Sequence, residues 1–401
     1  MTSVDAPEFP MPRAAGCPFD PPPGLRELQE ETPLAPVRLP DGSTAWVVTR
    51  YADQRAVLAD SRVSSDVTKP GYPSGTPGRV VGAGNIGFIL MDDPEHARLR
   101  KMVTAPFMIK RVEQMRPAIQ RIVDERIDTL LAGPNPADLV ESFALPVPSL
   151  VICELLGVPY TDHDFFQHSS KNLISRSASP EERGAAFQKL HDYLDDLLIE
   201  KTERPQDDLL STLTERVRNG ELTRADAAGI GVLLLIAGHE TTANMIALGT
   251  MALLENPEQL ALIRDTGDPK VIAGAVEELL RYLNITHNGR RRVALADIEV
   301  AGQTIRAGEG VIMANDIGNR DPSVFDHPDR LDVTRDARRH VAFGFGVHQC
   351  LGQPLARVEL QVVYGTLYRR IPTLALAADR DSIPFKHDAA VYGVHELPVR
   401  W

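Results

Sequence analysis

The ten residues from Phe343 to Gly352 constrain this chain more than any other stretch. They read Phe-Gly-Phe-Gly-Val-His-Gln-Cys-Leu-Gly, with three glycines, one histidine and one cysteine. Glycines at this density disfavour a strand or a helix, because each loses much backbone entropy on folding. Pro354 follows, which the first turn of a helix tolerates, and then a periodic apolar run begins. We therefore predict a tight loop that enters a helix, with Cys350 at the junction.

This position has chemical consequences for Cys350. The N-terminus of a helix carries partial positive charge and free N–H groups, so we expect a depressed pKa and a thiolate. Thiolate is a strong ligand for iron. Gly346 would let the loop turn its N–H groups towards the sulfur, and Gly352 removes a side chain where a flat macrocycle could lie. An isolated cysteine would more simply be structural, but the whole pattern favours a metal ligand.

The pattern Phe-Gly-x-Gly-x-His-x-Cys-x-Gly resembles the haem-binding signature of the cytochrome P-450 monooxygenases at every fixed position. That family holds its haem iron through a cysteine thiolate. The resemblance implies haem b as the cofactor, Cys350 as the axial ligand of its iron, and His348 as a partner of a haem propionate. It also implies one domain of a mainly α fold with small β-sheets.

Composition narrows the class of protein. The chain has 401 residues, of which 43% are hydrophobic and 24% charged, and a net charge of −12. This profile is typical of a soluble globular protein, and the negative charge argues against non-specific binding of nucleic acid. Three widely spaced cysteines, Cys17, Cys153 and Cys350, make no disulfide framework and favour a reducing compartment.

The N-terminal sequence and the lengths of the apolar runs indicate a cytoplasmic protein that is not bound to a membrane. Residues Met1 to Pro12 show neither the basic region nor the apolar core of a signal peptide. The longest apolar run, Ile230 to Ala237, is much shorter than the roughly 20 residues that span a bilayer. We expect no membrane anchor.

A pair of cations occurs in the segment Met91 to Arg100, which we expect to open a helix. His96 and Arg100 are four residues apart, so both project from one face of that helix. Two cations on one face suit a carboxylate, although an ordinary solvated face is the alternative. The resemblance implies that both residues hold a haem propionate.

A long helix is predicted from Thr223, which forms a capping box with Asp226, to Asn256, where Pro257 follows. Its length of about 50 Å would cross the whole domain. The middle of this helix departs from the apolar pattern.

Residues 237–242 read Ala-Gly-His-Glu-Thr-Thr. A threonine can bond the carbonyl four residues back and bend the helix, and Gly238 would leave space beside it. Alone, this is a polar patch or a kink. The resemblance implies that Thr241 hydrogen-bonds dioxygen and a water molecule in a distal pocket, and that Glu240 relays protons.

Two further arginine motifs complete the resemblance. Glu278 and Arg281, with Arg320 as the third member, would brace the loop that carries Cys350. In the run Arg290-Arg291-Arg292, the resemblance makes Arg292 a propionate partner, although three successive arginines could simply be a basic edge strand. Short strands follow at Ile298 to Val300, Gln303 to Ile305 and Val311 to Met313.

The beginning of the chain divides near residue 45. Residues 1–44 are rich in proline and are expected to form an N-terminal surface segment, before a domain over residues 45–401. A strand is expected at Ala45 to Thr49 and a helix from Tyr51 to Asp60.

The substrate pocket is expected under segments that lack a shared motif. Residues Lys69 to Gly87 have no period, which in a compact domain indicates a functional or a disordered loop. The resemblance places this loop over the pocket, with a lid at roughly 160–190. Leu283 to Gly289 and Ala389 to Val394 would form further walls.

The resemblance implies a monooxygenase that hydroxylates an apolar C–H of a bulky hydrophobic molecule, such as a macrolide, a polyene or a steroid-like compound. Electrons would come from NAD(P)H through a separate ferredoxin reductase and a ferredoxin, and the protein would act as a monomer. A peroxide-driven peroxygenase would typically lack the pair Glu240 and Thr241, and a haem sensor would need no proton relay. A basic patch of Arg338, Arg339, His340, Arg357, Lys101 and Lys110 is expected to dock the ferredoxin, the alternative being a solvated face.

Overall fold

The computed structural model describes residues 6–14, 16–74, 87–162, 165–166, 169, 179–387, 389 and 391–401. Its helices are α1 (Pro23–Glu31), α2 (Tyr51–Ala59), α3 (Glu95–Thr104), α4 (Ile109–Ala132), α5 (Pro146–Leu156), α6 (Pro180–Glu203), α7 (Leu209–Arg218), α8 (Arg224–Leu254), α9 (Pro257–Arg264), α10 (Pro269–Tyr282), α11 (Asn315–Gly318) and α12 (Gln353–Arg370). Its strands are β1 (Leu34–Arg38), β2 (Thr44–Val48), β3 (Val63–Ser64), β4 (Ala137–Asp138), β5 (Arg290–Ala294), β6 (Ile298–Val300), β7 (Gln303–Ile305), β8 (Gly310–Met313), β9 (Ala375–Leu376) and β10 (Pro398–Arg400). The expected class, mainly α with small β-sheets, is confirmed.

Helix α8 runs through the middle of the helical core. It begins with the predicted capping box, in which the Thr223 hydroxyl accepts from the backbone N–H of Asp226. It contacts α5, α6, α7 and α12. By length and composition α8 could cross a membrane, but 72% of its most apolar 18-residue window is buried inside the protein. Helix α8 is therefore the core helix of the helical layer.

The largest sheet positions the arginine run. Its strand order is β1-β2-β8-β5-β3, with β2 and β8 parallel and the other neighbours antiparallel. Arg290 and Arg292 of β5 face Met313 and Val311 of β8. Since side chains alternate along a strand, these two arginines share one face of the sheet and Arg291 lies on the other.

The expectation that residues 1–44 form a surface segment is wrong for α1 and β1. Leu25 of α1 is 1% exposed and Leu34 of β1 is 0% exposed. The prolines in this region lie where a missing N–H does little harm. Pro23 opens α1, and Pro36 lies in β1, an edge strand of the sheet.

The predicted pocket segments are described only in part. Residues 75–86 of the Lys69 to Gly87 loop lie outside the described residues, as do 163–164, 167–168 and 170–178 of the predicted lid. Near the C-terminus, residues 388 and 390 also lie outside them. The flanking residues form a short hairpin, in which Phe385 bridges to Val394 and the N–H of Lys386 donates to the carbonyl of Gly393.

Candidate active site

The loop from Val341 to Gly352 folds back on itself through its backbone. The N–H of Cys350 donates to the carbonyl of Phe343 at 2.9 Å, which closes the loop below the thiol. Gly344 and Gly346 have φ of 73° and 74°, a region that favours glycine. A Cβ on Gly346 would overlap with the Leu58 carbonyl. Helix α12 begins at Gln353, so the predicted loop at a helix entrance is confirmed.

The Cys350 thiol is solvent-accessible, yet protein surrounds it closely enough that burial raises its pKa. Four groups act in the opposite direction: Arg290, the backbone N–H of Gly352, Arg100 and Arg357 lower this pKa. The expectation of a depressed pKa is therefore wrong for the thiol alone, because desolvation of the anion is the larger effect. A metal ion would displace the proton and bind the thiolate.

The donor set around Cys350 fits a metal that arrives inside a macrocycle. Among the described residues, no group of three His, Cys, Asp or Glu side chains could hold a bare metal ion. Cys350 can thus supply one ligand only. A Cβ at Gly352 would meet only the Phe107 ring, at 4.0 Å, so the chain itself does not fill the side of the loop where a flat ring was expected.

Two predicted histidines lie against each other. The rings of His96 and His348 are 4.0 Å apart between centroids. Nδ1 of His96 bonds Asp93 at 3.0 Å, and its Nε2 is buried with no partner among the described residues. Nε2 of His348 bonds the Ser65 hydroxyl at 2.9 Å. Burial, followed by the positive charges of Arg292 and His96, lowers the pKa of His348 to about 4.

Three arginines lie near Cys350 and His348, and their side chains bond backbone carbonyls. Arg100 donates to Gln349 at 2.6 Å, Arg290 to Ala342 at 2.8 Å and Arg292 to Arg291 at 2.7 Å. Burial lowers the pKa of all three, that of Arg290 to about 10.

Within the described part of the chain, none of these three arginines forms an ion pair with a carboxylate. Buried cations without a counter-ion are costly. A ligand with carboxylate groups would therefore be stabilised here, and the two propionates of haem fit this chemistry.

Sequence reasoning missed two residues of this region. Arg290 is half-buried near Cys350, and its Nε is buried with no partner among the described residues. Ser65 directly follows β3, and its hydroxyl bonds Nε2 of His348. Alternation along β5 could have paired Arg290 with Arg292, but Ser65 lies in no motif.

The middle of α8 carries the predicted distal residues. Ala237 is exposed there although its helix is otherwise largely buried. The Thr241 hydroxyl donates to the Ala237 carbonyl at 2.8 Å, the bond four residues back that was predicted. Gly238 does not leave free space: a Cβ there would lie 3.1 Å from Ile152 of α5. Ala237 and Thr241 thus share the one open face of the helix.

Glu240 points away from that open face. Its Oε1 accepts from Lys386 at 2.8 Å and from Asn244 at 3.0 Å. Burial opposes ionisation, but the Lys386 ammonium and these hydrogen bonds outweigh it and lower the pKa of Glu240 below its usual range. The carboxylate is therefore ionised at neutral pH, and Lys386 and Asn244 hold it on the side away from the open face.

An apolar recess of about 200 Å³ lies further along the same face of α8. Its walls include Met91, Leu99, Phe187 and Ile230. Ile230 precedes Ala237 by seven residues, or about two turns, so both project in similar directions. His191 and Asp226 also line the recess, so this face of α8 is mainly, not wholly, apolar.

Two of the three predicted bracing residues, Glu278 and Arg281, are bonded to each other and linked to the cysteine loop. The expectation of Arg320 as the third member is wrong, because among the described residues the second arginine bonded to Glu278 is Arg335, at 3.3 Å. Arg281 forms two bonds with Glu278, at 2.7 and 2.8 Å, and both side chains are 0% exposed. Arg281 also donates to the carbonyl of Asn319 at 3.0 Å. The Asn319 side chain in turn accepts the N–H of Val341 at 2.8 Å. Arg320 follows in sequence and donates to the carbonyl of Tyr282 at 3.0 Å.

A thiol at the entrance of a helix, a buried cluster of cations beside it and a threonine on an apolar helix define a haem-thiolate protein. Comparison with known proteins agrees. A family model described as cytochrome P450 matches residues 41–376. The chain belongs to the cytochrome P450 family. It is a haem b-dependent monooxygenase.

The similar proteins include cytochrome P450 GfsF of Streptomyces halstedii, 58% identical over 99% of this chain and 97% of the relative. The crystal structure of GfsF has a TM-score of 0.95 and 57% identity, covering 99% of this chain and 100% of that one. Vitamin D3 dihydroxylase of Streptomyces griseolus is 46% identical over 100% and 98% of the two chains. The mycinamicin VIII C21 methyl hydroxylase MycCI of Micromonospora griseorubida, bound to mycinamicin VIII, has a TM-score of 0.90 and 42% identity over 98% and 100%.

Proposed function

We propose that this monooxygenase hydroxylates an apolar C–H of a bulky hydrophobic molecule, of the macrolide, polyene or steroid-like kind. The observation that supports this proposal most directly is the adjacent pair Glu240 and Thr241. The Thr241 hydroxyl lies on the open, mainly apolar face of α8, and the Glu240 carboxylate lies on the side away from that face. Relatives whose names include vitamin D3 and mycinamicin VIII support this class of substrate.

Each residue of the site has a proposed role. Cys350 is the axial ligand, and His96, Arg100, Arg292 and His348 bind the propionates. Bound haem supplies the iron at which dioxygen is reduced and the substrate oxidised. Thr241 positions dioxygen and a water molecule by hydrogen bonds, and Glu240 passes protons inwards. The apolar residues along α8 exclude water from the substrate's side.

The substrate class is tested by a binding screen on the purified holoenzyme. The panel contains macrolides, polyenes and steroids, with polar molecules of similar size as controls, and the readout is the shift from low-spin to high-spin haem absorption. We expect shifts with the bulky apolar members alone. A shift confined to the polar controls would contradict the proposed class.

Electron supply is proposed to come from NAD(P)H through a ferredoxin reductase and a ferredoxin, in the cytoplasm, with the protein acting as a monomer.

The expected docking patch needs a correction. His340 is buried and bonds Glu277 at 3.1 Å, and Arg357 is half-buried and bonds Glu277 at 2.6 Å, so both are already engaged by a carboxylate of the protein. Arg338 remains largely exposed, and Lys101 and Lys110 are exposed.

Apolar side chains lie close to these exposed cations. Ile109 is 72% exposed, and Met108 and Val347 are each 59% exposed. Phe107 precedes them and lies against the cysteine loop near Gly352. A surface of exposed apolar residues with basic neighbours suits an acidic protein, because complementary charge speeds encounter.

Product formation by the holoenzyme separates the proposed function from the alternatives. NADH with ferredoxin and reductase should support hydroxylation of the compound with the largest spin shift. Product formed only with hydrogen peroxide would indicate a peroxygenase. No product by either route would indicate a haem sensor.

A further inference from the structure

We propose that Lys386 is a positioning residue for Glu240 and that it couples the C-terminal pocket wall to proton delivery. This inference rests on the proposed function of Glu240 as the proton relay. Lys386 belongs to no motif of the sequence and lies 146 positions from Glu240.

The contact between the two residues is direct and enclosed. Nζ of Lys386 lies 2.8 Å from Oε1 of Glu240, and the two side chains are 12% and 14% exposed. The same oxygen accepts from Asn244, whose amide also bonds the Glu240 carbonyl at 2.8 Å. Opposite charges removed from water attract more strongly than exposed ones. The pair therefore fixes one rotamer of Glu240.

The backbone around Lys386 is fixed as well. Its N–H donates to the carbonyl of Gly393, and the N–H of His395 donates to that of Pro384, each at 2.8 Å. A Cβ on Gly393 would overlap with the side chain of Asn244. The hairpin thus lies directly against the helix turn that carries Glu240.

The hairpin is also attached to the segment predicted to line the pocket. The N–H of Tyr392 donates to the Ile285 carbonyl at 2.8 Å, and Nε2 of His287 bonds the Ala389 carbonyl at 2.7 Å. A ligand that moves this wall moves the residue that holds Glu240. Lys386 therefore links occupation of the pocket to the placement of the relay carboxylate.

This link has a chemical consequence. The NADH-driven reaction, RH + O₂ + NADH + H⁺ → ROH + H₂O + NAD⁺, draws one proton from solution and moves a second that NADH releases. The peroxide-driven reaction, RH + H₂O₂ → ROH + H₂O, needs no such supply. Displacement of Glu240 should therefore impair the first reaction and largely spare the second.

The test compares both reactions of the holoenzyme with the panel compound that gives the largest spin shift. Lys386→Met should lower product per NADH by about tenfold, which is less than the full contribution of a proton-transferring group because Lys386 acts through Glu240, and leave peroxide-driven product near the wild-type level. Lys386→Arg should restore most of the coupling. Lys270→Met, which removes a charge from an exposed position, is the matched control and should behave as wild type.

A double-mutant cycle shows whether Lys386 acts through Glu240. Lys386→Met should add nothing to the loss caused by Glu240→Gln. Unchanged coupling in Lys386→Met, equal loss in both reactions, or additive losses in the double variant would overturn the inference.

A cycle of urea unfolding gives a readout that needs no turnover. Lys386→Met should lower the unfolding midpoint in the wild-type background and much less in Glu240→Gln. Equal lowering in both would refute the pairing of these two side chains. A wild-type enzyme without product by either route would instead refute the proposed function.

Discussion

The two sides of the haem site are built differently. The cysteine loop is tied to the rest of the protein by buried charged groups, above all Glu278 and Arg281, which are 0% exposed. The open face of α8 carries Thr241, whose hydroxyl bonds its own helix. Behind it, Glu240 is bonded to Lys386 on a hairpin. The cysteine loop, here called the fixed side, is held by an ion pair that is entirely shielded from water. The face of α8, here called the adjustable side, holds its polar groups by hydrogen bonds and by an ion pair that is partly exposed.

The largest expected effect comes from breaking the fixed side. Glu278→Gln leaves Arg281 buried without its counter-ion, and we expect a loss of about 3–5 kcal/mol in the free energy of unfolding, with loss of bound haem. Urea unfolding and the ratio of haem to protein absorbance measure both. Glu113→Gln removes an exposed pair of the same i, i+3 spacing and should change stability by about 1 kcal/mol or less. Similar losses in the two variants would contradict the account.

A pH titration probes the second anchor of the fixed side. Burial opposes ionisation of Glu277, but bonds from His340 and Arg357 lower its pKa from 4.5 to about 2. Because the folded-state pKa is the lower one, the ionised form stabilises the fold. This contribution is complete above pH 4.5 and is lost as the pH falls towards 2.

Its size is about 3 kcal/mol, since one pKa unit corresponds to about 1.4 kcal/mol. The difference in the free energy of unfolding between wild type and Glu277→Gln should therefore shrink as the pH falls below 4.5. A difference that is constant with pH would show that Glu277 is not held by its ion pairs.

On the adjustable side, Thr241→Ala should spare stability and haem content but uncouple turnover. The side chain loses one bond to its own helix, and the hydroxyl that we propose to orient dioxygen and water is removed. Product per NADH should fall by about tenfold, with hydrogen peroxide released instead. Thr241→Ser keeps the hydroxyl and should retain coupling. Full coupling in Thr241→Ala would remove this residue from the mechanism.

The smallest effect is expected outside the site, on association with the ferredoxin. Arg338→Glu should slow reduction by ferredoxin a few-fold at low ionic strength and leave the substrate-binding spectrum intact. The difference should vanish in high salt, since the Debye length shrinks to about 3 Å at 1 M. Stopped-flow reduction rates insensitive to both changes would place the docking surface elsewhere.

The sequence predicts features that depend on near neighbours better than contacts between distant parts of the chain, for a physical reason. The loop of Cys350, the capping box of α8 and the pair Glu278 and Arg281 depend on neighbours within a few positions. Ser65 and Lys386 act through partners 283 and 146 positions away, which no local pattern encodes.

Two other differences between the sequence-based predictions and the structure arose from competing physical effects. Strand β1 was missed because its proline-rich surroundings read as surface, although Pro36 lies in an edge strand where proline is tolerated. The pKa of Cys350 was expected to fall at a helix entrance, but burial outweighs the neighbouring donors. Each outcome depends on tertiary packing.

The central claim is that the fixed loop presents Cys350 as the thiolate ligand of haem iron. The direct measurement is the absorption spectrum of the reduced carbon monoxide complex of wild type and Cys350→His, each reconstituted with haem. The account predicts that wild type shows the long-wavelength Soret band that gives the family its name, and that Cys350→His shifts this band to shorter wavelength. An unchanged band in Cys350→His would contradict the account.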